Sequence, residues 1–192
     1  MLHEIALFLR HAVASPANIG AVVPSSRELG DLVARGLGPD TGRVIEIGPG
    51  TGSLTKGMLR AGVREQDLTL VELNPSFCTH LRRKFPRARV INAGAEDIGA
   101  QDMDGLESGH ISHVISGLPL LNFPASLQSS ILEAAFSQLA PDGKFVQFTY
   151  GFQPPIDAAV RATMDLGWHM RGRVWANLPP ASVYEFYRNA PH

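Results

Sequence analysis

The chain has 192 residues, enough for one domain with a sizeable core and short for two. A formal net charge of −1, with 44% hydrophobic and 18% charged residues, is ordinary globular composition and speaks against a polyelectrolyte built to hold nucleic acid. Its lone cysteine, Cys78, excludes an intrachain disulfide, no apolar run is long enough to span a bilayer, and the first residues lack a secretion-signal pattern, so the expected location is the cytoplasm.

Residues 2–14 place Leu2, Ile5, Ala6, Leu9, Ala12 and Val13 on one helical face, widened by Phe8 and ended by Pro16 and Gly20. Ser25 or Ser26 offers an N-cap for a second helix running to about Gly36, followed by a loop over 36–40. From Arg43 strand and helix alternate: strand 44–47, helix 51–61, strand 68–72, helix 75–85, strand 89–91. Strand 111–115, helix 126–139, strand 144–150 and helix 156–166 continue the pattern, and two strand-like runs, 169–175 and 182–188, close it with no helix between them. Alternation implies parallel strands joined by right-handed crossovers, and the closing pair an antiparallel hairpin. The expected fold is α/β, a doubly wound, mostly parallel sheet with that hairpin at its end. Residues 1–192 form one domain, with 1–40 a helical extension packed on the sheet unit of 41–192.

The central signal is Glu46-Ile-Gly48-Pro49-Gly50-Thr-Gly52, where a strand runs straight into three glycines and a helix. Glycine turns the chain sharply and lets a ligand approach bare backbone, and the helix N-terminus behind it offers free N–H groups. The spacing G-x-G-x-G, with an acid two residues ahead, departs from the G-x-G-x-x-G that seats a pyrophosphate. Glu72 ends the second strand about twenty residues on, where a carboxylate accepts from two ribose hydroxyls; a solvated strand-end glutamate is the blander reading. After strand three, Ala93-Gly-Ala95-Glu96-Asp97 carries two acids, either of which can accept from an adenine amine or cap a short helix.

With Glu46–Gly52, Glu72 and Ser116-Gly-Leu-Pro-Leu120 in view, the chain resembles the class I methyltransferases, a Rossmann-like fold of seven strands. More narrowly it resembles the small bacterial phospholipid N-methyltransferases of the rhizobial type, on Ser15–Ser26, Phe148-Thr-Tyr-Gly151 and Val174-Trp-Ala-Asn-Leu-Pro-Pro180. The resemblance covers nearly the whole chain. It implies stepwise methylation of phosphatidylethanolamine to phosphatidylcholine from S-adenosylmethionine, at the inner face of the cytoplasmic membrane. The implied cofactor residues are Glu46, Gly48, Pro49, Gly50, Gly52, Glu72, Leu73, Ala95, Glu96, Asp97 and Ser116. The implied substrate residues are Ser25, Ser26 and Tyr150. Ribosomal RNA adenine dimethyltransferases share the first motif and are the alternative reading.

Methyl transfer asks the protein to align an uncharged nucleophile with the C–S bond of the sulfonium and to exclude water. A nearby sulfonium favours the neutral amine, and acceptors aimed at its N–H bonds would orient the lone pair. Ser116, Gly117 and Leu118 in the turn after strand four, and the Tyr150 hydroxyl after strand five, are the candidate catalytic residues. A turn-forming serine and a packed aromatic are their structural alternatives. Enzymes acting on adenine N6 carry Asn/Asp-x-Pro-aromatic at this turn. Gly117 and Leu120 replace the Asn and the aromatic, which favours an aliphatic amine and no nucleic-acid partner. The seven histidines show no ligand spacing, so no metal is expected. The first helix can lie in a bilayer interface or simply pack, and Arg82, Arg83, Lys84, Arg87 and Arg89 can meet anionic headgroups or solvate a helix end.

Overall fold

The computed structural model describes residues 27–98, 109–177 and 179–189. The helix expected over 2–14, and Ser25 and Ser26, lie outside the described residues. A short helix, α1 (Arg27–Val33), precedes β1 (Arg43–Ile47), α2 (Ser53–Ala61), β2 (Leu68–Glu72), α3 (Pro75–Lys84) and β3 (Arg89–Asn92). After these come β4 (Ile111–Ser116), α4 (Ala125–Gln138), β5 (Leu139–Tyr150), α5 (Ala158–Thr163), β6 (Leu166–Val174) and β7 (Ala181–Arg188).

The strands form one seven-stranded sheet in the order β3-β2-β1-β4-β5-β7-β6. β1 to β5 run parallel, and β7 lies antiparallel between β5 and β6. The fold class expected from the sequence is the one observed. The register fixes the site: Ile47 pairs with Val71 on one side and Ser116 on the other, Ser116 pairs with Gln147, and Gln147 with Tyr184.

Strands buried on both faces read as apolar runs, and alternate residues divide between two cores. On one face Ile45, Ile47, Val114, Phe145 and Phe186 meet Ile131, Leu132, Ala135 and Phe136 of α4 and Val160 of α5. On the other, Val44, Leu68, Leu70, Ile115 and Val146 meet Leu29 and Leu32 of α1, Leu54 and Met58 of α2, and Leu81 of α3. Helices α1 and α2 touch backbone to backbone: a Cβ on Gly57 would stand 2.4 Å from the Gly30 carbonyl oxygen. Arg171 of β6 also ties α1 to the sheet, donating to the Val33 carbonyl at 2.8 Å and to the Glu185 carboxylate at 2.7 Å.

Several boundaries differ from the sequence reading, those of β5 and α5 for reasons the structure shows. β5 begins at Leu139, because the Pro-Asp-Gly that reads as a turn is absorbed as an irregularity: Leu139 pairs with Ile111 and Lys144 with His113. α5 is confined to Ala158–Thr163 by the Asp157 side chain, which caps Ala159 N–H at 2.8 Å, and by Asp165, whose φ of +50° ends the helix.

Candidate active site

The parallel strands deliver their C-terminal ends, and the loops that follow them, to one edge of the sheet. The β1 ladder continues into these loops: Gly48 N–H donates to the Val71 carbonyl at 2.9 Å, and Gly117 N–H to the Ile47 carbonyl at 2.8 Å. The three glycines serve three ends. A Cβ on Gly48 would lie 2.5 Å from Leu118 Cδ2, and one on Gly52 2.4 Å from the Phe85 ring. Gly50 has φ +54° and open space within 4 Å of where a Cβ would sit. Gly52 also starts α2, whose N-terminus has no side-chain cap.

Two carboxylates flank the loop. Glu46 is fully buried on β1; its Oε2 accepts from the Thr55 hydroxyl at 2.5 Å, and its Oε1 has no hydrogen-bond partner among the described residues. Burial pushes its pKa up to about 7, against the Thr55 hydrogen bonds and with a smaller push from Glu72. At the end of β2, Glu72 accepts from Gly50 N–H at 3.0 Å on Oε2 and from Asn74 N–H at 2.8 Å on Oε1. Asn92, at the end of β3, donates to the Glu72 and Leu73 carbonyls, both at 2.9 Å, and so fixes the chain on either side of the β2 terminus.

Beyond β3, Ala95–Asp97 form one 3-10 turn that contains both acids; its N-cap is Gly94 with no side-chain cap, so neither acid caps a helix as the alternative reading had it. The Glu96 carboxylate folds back over Gly94, within 3 Å of where its Cβ would be. Both acids are half-buried.

In the turn after β4, Ser116 is buried and its hydroxyl accepts from Leu118 N–H at 3.3 Å, the turn-forming bond that a serine here can make. The Leu118 carbonyl accepts from Gln147 Nε2 at 2.8 Å and from Leu120 N–H at 3.0 Å. Both its lone pairs are engaged, so the Leu118 carbonyl is not a spare acceptor for an amine. Gly117 is forced by proximity: a Cβ there would be 2.5 Å from the Gly48 carbonyl oxygen. Leu120 points into the core, 1% exposed. Tyr150 stands two strands from the glycine loop, 43% exposed, edge-on to Phe148 at 5.6 Å.

The structure therefore joins Gly50 to Glu72 and Gly48 to Gly117, with Ser116 beside Ile47 in the strand register and Glu46 tied to Thr55. Sequence reasoning missed Thr55, Asn92, Gln128 and Gln147. Gln128 on α4 donates to the Leu120 and Phe123 carbonyls, both at 3.0 Å, and accepts from Asp157 N–H at 2.9 Å. Isolated amides carry no motif; the available signal was Gln147 in the apolar run Phe145-Val-Gln-Phe148. His113 is half-buried, its Nδ1 without a partner, and burial with help from Arg171 depresses its pKa to about 4, so it is neutral.

Residues 44–143 match the family of methyltransferase domains. The chain belongs to that family. It is 31% identical over 147 residues to the ornithine lipid N-methyltransferase of Singulisphaera acidiphila, covering 74% of this chain and 73% of that one. It is 28% identical over 165 residues to the ribosomal RNA small subunit methyltransferase A of Sphingopyxis alaskensis, covering 85% of this chain but only 58% of that longer protein. Among solved structures, the 1,6-didemethyltoxoflavin-N1-methyltransferase of Burkholderia thailandensis, bound to its substrate and S-adenosylhomocysteine, superposes with a TM-score of 0.68 at 18% identity, over 97% of this chain and 90% of that one. S-adenosylmethionine is the cofactor of this methyltransferase. The residues present suit it: bare backbone at Gly50, a Glu72 carboxylate with lone pairs to spare, and a buried Glu46 oxygen awaiting a donor.

Proposed function

We propose that this methyltransferase methylates the headgroup amine of phosphatidylethanolamine and its methylated forms, leading to phosphatidylcholine, at a membrane surface. The observation that carries the reading is the turn after β4. Gly117 is pressed against the Gly48 carbonyl and Leu120 is buried in the core, so neither an Asn amide nor a stacking ring has a place there. A nucleobase needs both, and an aliphatic amine needs neither. The lipid substrate named for the Singulisphaera relative agrees with this choice.

The edge of the sheet that bears the site also suits a bilayer. Leu73, Leu121, Tyr150, Phe152 and Trp175 all follow the C-terminal ends of strands and are 39–68% exposed. The Arg173 guanidinium lies over the Phe152 ring at 4.3 Å and the Trp175 ring at 5.2 Å. Aromatic rings with a cation among them are at home at headgroup level. Among the described residues no helix is long and apolar enough to cross a membrane, so the contact proposed is peripheral.

Bound S-adenosylmethionine supplies an electrophilic methyl group. Glu72 would hold its ribose, the loop at Gly48 to Gly52 would lie along it, and Leu73 with the strand-three turn would border the adenine. Ionised Glu46 would face its positive end from below. Ser116 and Gly117 would form the floor beneath the reacting amine, and Tyr150 would border the approach. Labelled cofactor offered with phosphatidylethanolamine vesicles and with ribosomal RNA in parallel tests the reading. Label in the lipid supports it, and label in the RNA alone replaces it with the adenine alternative.

A further inference from the structure

The segment from Ser116 to Phe123 is clamped by two buried glutamines, and they differ in one respect. Gln128 uses every kind of polar atom it has: Nε2 serves the Leu120 and Phe123 carbonyls, and Oε1 accepts from Asp157 N–H. Gln147, 1% exposed, gives Nε2 to the Leu118 carbonyl at 2.8 Å and the Phe148 carbonyl at 2.7 Å, and its Oε1 has no partner among the described residues. The amide orientation is fixed by those two carbonyls, since a flipped amide would set oxygen against oxygen twice. A buried acceptor left without a donor is costly, on the order of 1–3 kcal/mol, and among the described residues none donates to this one.

Gln147 lies in register with the strand ends that carry the site. It is the β5 partner of Ser116, which is the β4 partner of Ile47, the last residue before the glycine loop. Its amide holds Leu118, whose side chain presses on Gly48. We propose that Gln147 Oε1 accepts a hydrogen bond from the N–H of the amine being methylated, making Gln147 a catalytic residue that orients the nucleophile. This rests on the aminolipid reading above.

A neutral amide suits the task. A carboxylate would hold the amine as ammonium, with no lone pair to give, whereas an amide oxygen accepts from the free amine without that bias. The amine lone pair forms the new N–C bond as the C–S bond breaks, its electron pair stays on sulfur, and the surplus proton leaves the new ammonium for solvent. The consequence is stepwise. An unmethylated or monomethylated amine keeps an N–H for Gln147 after aligning its lone pair. A dimethylated free amine has none, so the third transfer proceeds without this contact.

The test is Gln147→Met, of similar length and lacking an acceptor, assayed on vesicles of phosphatidylethanolamine, its monomethyl form and its dimethyl form. The ratio of the first-step to the third-step rate is independent of how much protein is folded. We expect that ratio to fall about tenfold, the worth of one hydrogen bond at the reacting centre. A second readout avoids turnover: with S-adenosylhomocysteine present, calorimetry should show weaker binding of short-chain phosphatidylethanolamine and unchanged binding of short-chain phosphatidylcholine. If all three steps slow alike, or the ratio does not move, Gln147 only supports the turn and the proposal is overturned. If wild-type protein methylates none of the three lipids, the aminolipid reading fails and this proposal with it.

Discussion

Glu72 Oε2 accepts the N–H of Gly50 at 3.0 Å, so the carboxylate expected to bind ribose also holds the glycine loop proposed to lie along the cofactor. Its other oxygen accepts from Asn74 N–H, which leaves about half of the carboxylate's acceptor capacity for the two ribose hydroxyls. Glu72→Ala removes both functions together. We expect cofactor affinity to fall by about 1.5–3 kcal/mol for each charge-assisted bond lost, read by calorimetry on protein shown to be folded. Unchanged affinity would remove Glu72 from the site.

The three loop glycines should respond differently to the same added methyl. Gly50→Ala meets no atom of the described residues within 4 Å, so stability should fall only by the cost of a positive φ, about 1–2 kcal/mol, while cofactor binding is lost to the intruding Cβ. Gly52→Ala must displace the Phe85 ring and should unfold at a markedly lower temperature whether or not cofactor is present. Thermal melts with and without S-adenosylhomocysteine separate the two; equal behaviour would mean that Gly50 does not face the ligand.

Glu46 sets a pH dependence. Its folded-state pKa is raised to about 7 from an ordinary 4.5, chiefly by burial, so the folded protein binds the extra proton between those values. Stability of the cofactor-free protein should therefore fall as pH rises across that window, by on the order of 3 kcal/mol in all. Cofactor affinity should move the other way, rising from pH 6 to 8 as an anion forms opposite a cationic ligand, with proton release on binding. Glu46→Gln should flatten both trends in melts and in calorimetry run in buffers of different ionisation enthalpy.

The sheet was legible because both its faces are buried, which turns each parallel strand into an apolar run of four or five residues such as 44–47 and 68–72 bounded by glycine or charge. Glu46, Glu72 and the glycines were legible because a tight strand-to-helix turn needs those residue types in that order. The reasons for two glycines were not. Gly117 reads as a missing Asn, and only the 2.5 Å approach to the Gly48 carbonyl shows why no side chain fits. Gly57 carries no signal in the sequence, and only the crossing with Gly30 explains it. Gln147 and Gln128 act through contacts between distant segments, which leave no local pattern. The Leu118 carbonyl, expected among the acceptors for an amine, proved to be engaged by Gln147 and Leu120, because the turn satisfies itself before any substrate arrives.

The exposed rings beside Arg173 offer a test of the membrane contact. Phe152→Ser with Trp175→Ser removes two side chains that are 60% and 68% exposed, so the fold should tolerate the change. Co-sedimentation with anionic vesicles should weaken about tenfold or more, with cofactor affinity unaltered. Full retention of vesicle binding would place the lipid contact elsewhere.

The most direct measurement of the central claim is the lipid profile of a phosphatidylcholine-free bacterium that expresses this chain. Mass spectrometry of its extracted lipids should show monomethyl- and dimethyl-phosphatidylethanolamine and phosphatidylcholine, and none of them in cells expressing Glu72→Ala. An unchanged lipid profile in cells holding folded wild-type protein, with new dimethyladenosine in the ribosomal RNA, would contradict the account.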